Sequence, residues 1–315
     1  MSSVALTRQR LEWWGIALVL VPLVLAAILS FKLLSPEYQS HPLLFEGQHL
    51  QPVNVAHAQV LAALYTGIDY DWPPTDAVPA LALQHFPNDM DTLAPKVRKR
   101  VFFQALLPIV LAENARIASQ RAFIKAQFAN GGAGSGVLQR LATHYGISGD
   151  LDDPQVQKRL LRRVDVVPAA LVLAQAAKES GWGTSRFARE GNNLFGVWTW
   201  NADAGIAPRG APDDANHYVR TFPDIRASVR DYLYNIDVGH AYLKLRKMRA
   251  QLRAHGDRPT ALQLAEALEN YSARGARYVD AVQKLIRRNG LAALGGPRLA
   301  PWEVASAESP GLSQN

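Results

Sequence analysis

The stretch AKESGWGTSRFA, residues 177–188, ends an apolar helical pattern with a lone carboxylate set against a Gly-Trp-Gly corner. Read backwards, VDVVPAALVLAQAAKESG (residues 164–181) offers Asp165 as a cap, Pro168 in the first turn and Gly181 as a stop, with small and aliphatic residues nearly all round. A helix apolar on every side is a buried helix. Glu179 then falls in the last turn, where the backbone dipole disfavours a negative charge by roughly 0.3–1 kcal/mol. Nothing in local stability asks for a carboxylate there. The dipole and desolvation against Trp182 both raise its pKa, which suits a group that donates a proton near neutral pH. Spacing alone equally allows a carboxylate that reaches past the helix end into water.

Read forwards, GNNLFGVWTW (residues 191–200) supplies Asn192 and Asn193 for a tight turn, then aromatics at strand-like alternation. Phe195, Trp198 and Trp200 are side chains that stack on sugar faces, and equally side chains that fill a core. Gly, Pro, Asn and aromatics crowd together over 192–222, predicting a turn and a small β element in a chain that is otherwise helical by pattern from 138 to 291. Upstream, apolar residues at helical spacing predict one long or kinked helix over 96–130. Its apolar run 101–112 is short and contains Pro108, so it reads as a core helix. NGGAGSG (residues 130–136) is a connector, because a phosphate loop would follow a strand and carry a lysine.

Farther out, WWGIALVLVPLVLAAILSFKLL (residues 13–34) is long and apolar enough to cross a hydrocarbon layer of about 30 Å. Arg8 and Arg10 before it, with Trp13 and Trp14 at its edge, place residues 1–12 in the cytoplasm and the remainder outside. A cleaved signal peptide is the competing reading. Residues 35–95, rich in proline and turn residues, read as an extended arm, 96–150 as a helical accessory region, 151–291 as the main domain and 292–315 as a loose tail. The formal net charge of +7 favours anionic partners without choosing among nucleic acid, lipid and acidic polymer. With no cysteine, disulfides, thiolate metal sites and a cysteine nucleophile are excluded. His217, His240 and His255 are scattered without metal-ligand spacing, so neither a metal nor a cofactor is expected.

At this point ESGWGTSRFA (179–188) followed by NNLFG (192–196) resembles the signature of bacterial peptidoglycan β-N-acetylglucosaminidases, glycoside hydrolase family 73, and within them the membrane-anchored Bax-type group. The resemblance continues through YVRTFPDIRASVRDY (218–232) and LENYSARGARYVDAVQKLIRRNGL (268–291), and FFQALLPIVLAENARI (102–117) is similar to the upstream region of that group. It implies an α+β, predominantly helical, lysozyme-like fold with a small β-hairpin lobe and a glycan groove between the lobes. It also implies Glu179 as general acid and a role near the site for Tyr271 or Tyr278; substrate contacts are expected from Ser180, Trp182, Asn193, Phe195, Trp198 and Trp200. Phe222 stands where many relatives carry tyrosine, and the hairpin has no obvious glutamate, so the second catalytic group is open among Asp203, Asp213, Asp214 and Asp224. Asp213 and Asp214 come first, as adjacent acids of which one could activate water. The expected partners are peptidoglycan glycan strands and, through the N-terminal helix, the inner membrane, with the catalytic domain in the periplasm and no nucleic acid. A lytic transglycosylase and a non-catalytic peptidoglycan-binding protein remain as alternatives.

Overall fold

The computed structural model describes residues 45, 48–75, 77–209, 217–272 and 274–300; the predicted cytoplasmic tail and membrane span (1–12 and 13–34) lie outside them. In chain order the elements are β1 (Gln51–Val53), α1 (Ala58–Gly67), β2 (Ala77–Pro79), β3 (Leu81–Leu83) and the 35-residue helix α2 (Pro95–Ala129). Then come α3 (Gly136–His144), α4 (Pro154–Arg163), α5 (Ala169–Ser180), α6 (Arg186–Gly191), β4 (Trp198–Thr199), β5 (Gly205–Ile206) and β6 (Tyr218–Arg220). The chain continues through α7 (Ile225–Val238), α8 (Leu243–Ala254), α9 (Ala261–Ala265), α10 (Ala276–Arg288) and β7 (Arg298–Ala300). The described chain is mainly helical, with small sheets.

α2 is the axis of the core. It is long and apolar enough to cross a membrane by length and composition, yet 78% of its apolar window is buried inside the protein, so it is a core helix. Pro95 opens it at the first turn, where its missing N–H costs nothing, and the helix runs on through Pro108. Phe102, Phe103, Leu106, Leu107, Ile109 and Val110 are all buried, and α2 packs against β3, α5 and α7. A charged cluster locks one of these contacts. Glu113, fully buried on α2, accepts from Arg226 Nε at 2.6 Å and Arg230 Nη2 at 2.8 Å on α7, and from Arg116 Nε at 2.9 Å on its own helix. Burial alone would raise its pKa; the three guanidiniums outweigh burial and hold it at about 2.

Two expectations about the flanks are corrected. The proline-rich stretch expected as an arm contributes, over its described part, Leu61, Tyr65, Val78, Leu83, Phe86 and Met90 to the common core, because it has α2 to pack on. Its β1 pairs in parallel with β3, and β2 pairs in parallel with β7, with Ala80 N–H donating to Ala300 O at 3.1 Å. Residues 298–300, expected as part of a loose tail, are therefore paired into the fold; 301–315 lie outside the described residues.

α5 is the buried helix the pattern predicts: Ala170 through Ala177 are all buried, and Gly181 closes it in the left-handed conformation at φ 58°. Asp165 does not cap it. The N-cap position is Pro168, while Asp165 is drawn away by Arg253 Nε at 2.6 Å and by Arg121 and Arg249 at 3.8 Å each. The predicted β element is a three-stranded antiparallel sheet in the order β4–β6–β5, pairing Trp198 with Val219 and Gly205 with Arg220.

Candidate active site

The Gly-Trp-Gly corner turns because three consecutive residues adopt positive φ: Gly181 at 58°, Trp182 at 63° and Gly183 at 77°. A side chain at Gly183 would also meet the Phe86 ring at 3.2 Å. Ser180 pins the corner from inside. It is fully buried, its hydroxyl donates to Ala176 O at 2.6 Å and accepts from Gly183 N–H at 3.0 Å, so it holds backbone instead of facing substrate. Trp182 likewise turns away from the expected groove. It packs edge-on against Phe102 and Phe103 of α2, at 5.9 and 5.2 Å between centroids, with Lys99 Nζ 5.0 Å from its ring centre.

The next motif is also largely scaffold. Asn193 is buried and spends its amide on backbone, with Nδ2 donating to Val197 O and Arg220 O at 2.8 Å and Oδ1 accepting from Val197 N–H at 3.0 Å. Asn192, at φ 51°, reaches His85 and donates to Phe222 O at 2.9 Å. Ile225 N–H donates to Gln84 O at 3.0 Å and Arg189 Nη1 to Asn88 O at 2.9 Å, so residues 84–89 brace this motif from behind.

A cleft of about 1220 Å³ opens in front of Glu179. Its lining comes from Phe195, Gly196, Val197 and Trp198 at the start of the sheet, Tyr232 and Asn235 of α7, and His240, Tyr242, Lys244, Lys247, Met248 and Gln251 at and within α8. Tyr271 and Ser272 close the end. Among the described lining residues Glu179 is the sole carboxylate, and α8 contributes Lys247 and Lys244, the latter paired with Glu269 at 2.7 Å. Trp198 is 41% exposed at the cleft lip, whereas Trp200 is absent from the lining, so of the alternating pair Trp198 faces the groove. Phe195 is buried, stacked on Tyr232 at 4.0 Å and 14°, and its carbonyl accepts from the Tyr271 hydroxyl at 3.0 Å.

Burial raises the pKa of Glu179, opposed by a hydrogen bond from Tyr278 and by the charges of Lys178 and Arg274. The expected direction is met. Glu179 is coupled to Tyr232, Tyr242, Tyr271 and Tyr278, whose own ionisation burial suppresses, so all four stay neutral phenols. Tyr271 and Tyr278 stack at 4.8 Å, and the Oε1 of Glu179 is buried with no hydrogen-bond partner. Of the two tyrosines singled out in the sequence, Tyr271 lines the cleft, and Tyr278 is buried outside its lining, bonded to Gln175.

The aspartates divide. Asp213 and Asp214 lie outside the described residues. Asp224 caps α7, accepting from Ala227 N–H at 2.7 Å, and Asp203 is exposed beyond the sheet; neither lines the cleft. Among the described residues no group of three His, Asp or Glu is placed to hold a metal ion.

A family model for Glucosaminidase, described as mannosyl-glycoprotein endo-beta-N-acetylglucosaminidase, matches residues 155–291, from α4 to just past α10. Over 185 residues the chain is 32% identical to Protein bax of Escherichia coli (strain K12), an alignment covering 58% of this chain and 66% of that protein, just under two thirds of its length. Residues 155–291 thus match the glucosaminidase family, and the chain is similar to a Bax protein. No solved structure matches it. The glucosaminidase match leaves out α2, although α2 buries one side of the helix that carries Glu179. Gln175, Tyr232 and Tyr242 were missed from the sequence. For Gln175 a signal existed: a polar amide one turn before Glu179, on a helix apolar all round, must find buried partners.

Proposed function

We propose that the chain is a peptidoglycan glycan-strand hydrolase, an endo-β-N-acetylglucosaminidase in which Glu179 protonates the leaving glycosidic oxygen. The observation that carries this reading is a half-buried carboxylate of raised pKa, its Oε1 without a hydrogen-bond partner, on a cleft inside a stretch that matches the glucosaminidase family. The placement of that cleft, between the helices α5, α7, α8 and the β4–β6–β5 sheet, supports a lysozyme-like division of labour. Trp198 offers a sugar-stacking face at its lip, and Lys247 favours a substrate that bears carboxylates, as peptide-substituted strands do. The apolar run 13–34 would tether the enzyme to the inner membrane with this domain in the periplasm.

A retaining enzyme with a protein nucleophile needs a second carboxyl about 5–5.5 Å away, and an inverting one a base about 6.5–9.5 Å away. No second carboxylate lines the described cleft, so the reading assigns water activation to Asp213 or Asp214, or assistance to the substrate's own acetamido group. The same lone carboxylate favours a second reading, a lytic transglycosylase, which releases anhydro products. Mass spectrometry of digested sacculi separates the two: new reducing N-acetylglucosamine ends support the hydrolase, and anhydro ends overturn it. Glu179→Gln keeps shape and removes the proton, so activity should fall about 100- to 10,000-fold. A folded variant that keeps more than a tenth of wild-type activity refutes the general-acid role. Because the acid must carry its proton, and its folded pKa lies above the ordinary carboxylate value, activity should be lost only as pH rises through that raised value.

A further inference from the structure

We propose that Arg246 and Arg249 are positioning residues: they set the α8 side of the cleft by tying it to the end of α7, which carries Tyr232, and to the link that leads into α5, which carries Glu179. The inference rests on the glucosaminidase reading and extends it to side chains that never touch substrate. On α8 the cleft-lining residues Lys244, Lys247, Met248 and Gln251 fall at i, i+3, i+4 and i+7, one stripe of the helix. Arg246, Arg249 and Arg253 fall at i, i+3 and i+7 of a second stripe, which at about 3.6 residues per turn lies on the opposite side. The first stripe is largely exposed; Arg246 and Arg249 are buried.

Each buried guanidinium closes a helix end. Arg246 Nη1 donates to Ile236 O at 2.8 Å and to Gly239 O at 2.7 Å, where α7 stops. Arg249 Nη2 donates to Arg162 O at 3.2 Å and Arg163 O at 3.1 Å, where α4 stops, and to the buried Asp237 Oδ1 at 2.8 Å. Its Nη1 donates to Asp165 O at 2.7 Å, in the link from α4 to α5. The last carbonyls of a helix have no partner within it, and buried ones need one from outside. The bonds that satisfy them therefore also fix where α8 sits against α7 and against the start of α5. The bend between α7 and α8 is tight, since a Cβ on Gly239 would meet Asn235 O at 2.7 Å. Asn235, His240 and Tyr242, on either side of that bend, all line the cleft. The two arginines differ in what could replace them. Arg246 reaches both carbonyls through one nitrogen, which a lysine ammonium can imitate, whereas Arg249 spreads its bonds over both terminal nitrogens, a fork that an ammonium lacks.

The test compares wild type, Arg249→Lys, Arg246→Met, Arg246→Lys and a destabilised control away from the cleft, Leu61→Ala, which truncates a fully buried side chain of α1. Release of reducing ends by the full chain is measured against the concentration of solubilised glycan strands, well below each Tm and per folded protein. Arg249→Lys and Arg246→Met should lower kcat/KM about 10- to 100-fold, mainly through KM, as displacement of substrate-contacting groups by up to about 1 Å does. Arg246→Lys should stay within about threefold of wild type, because it keeps a charged donor at the end of α7. Leu61→Ala should lower Tm and leave KM unchanged. If Arg249→Lys and Arg246→Met do not fold, Gly239→Ala presses on the same bend and must raise KM. An unmoved KM in the folded variants, loss of folding in all three, an Arg246→Lys no better than Arg246→Met, or an equal rise in Leu61→Ala leaves the arginines a structural role only. Any of these overturns the inference and leaves the glucosaminidase reading standing, whereas a wild type that releases no ends overturns both.

Discussion

Replacing Glu113 by Gln isolates the ionic contact between α2 and α7, the helix that carries Tyr232 to the cleft. In the native protein both carboxylate oxygens are saturated: Oε1 by Arg226 and Arg230 at 2.6 and 2.8 Å, Oε2 by Arg116 and Arg230 at 2.9 Å each. The substitution keeps the shape but turns one of these acceptors into an amide donor facing guanidiniums. The fall in pKa from 4.5 to about 2 corresponds, at about 1.4 kcal/mol per pH unit, to roughly 3 kcal/mol of stability. Glu113 is 0% exposed, so water does not screen this contribution. Removing one partner of a buried ion pair costs about 3–5 kcal/mol by an independent route. For a domain of this size the loss is roughly 10 °C in Tm. The sign with pH is fixed: a depressed carboxylate pKa stabilises fully above 4.5, and the contribution vanishes as pH falls towards 2. Urea unfolding of wild type and Glu113→Gln at neutral pH and at several acid pH values should show a gap that narrows on acidification. A variant as stable as wild type at neutral pH, or a gap that does not change with pH, refutes the reasoning.

Trp198→Ala should weaken glycan binding in a sedimentation assay with sacculi, with little change in Tm, because a side chain 41% exposed contributes little to the core; a lower Tm with unchanged binding would return Trp198 to a packing role. Gly183→Ala should lose about 1–3 kcal/mol in denaturant unfolding, since φ 77° and the Phe86 ring at 3.2 Å leave no relaxed place for a Cβ, and an unchanged midpoint would show that the corner can shift. Asp213→Ala and Asp214→Ala, assayed for reducing ends, should leave one variant as inactive as Glu179→Gln if a loop acid activates water; two active variants would leave the substrate's acetamido group. The whole chain should fractionate with the inner membrane and a version starting at residue 35 should be soluble, whereas a native mature N-terminus near residue 30 would refute the anchor.

The apolar periodicity around Glu179 determined by itself that α5 is buried, that Gly181 ends it and that a carboxylate sits where nothing local rewards it, because helix period, stop residue and dipole are properties of consecutive residues. The long helix over 96–130 and the small sheet near 192–222 were legible for the same reason. What surrounds the carboxylate was not. Trp182, its neighbour in sequence, packs on α2, while the phenols whose ionisation the carboxylate's charge opposes, Tyr232, Tyr242, Tyr271 and Tyr278, lie tens of residues downstream. Ser180 and Asn193, polar and close to the motif, turned out to hold backbone, since a sharp corner buries peptide groups that must find partners. The proline-rich segment became part of the core because α2 gave its apolar side chains a surface on which to bury, and which surfaces meet is a property of the assembled chain, absent from any local stretch.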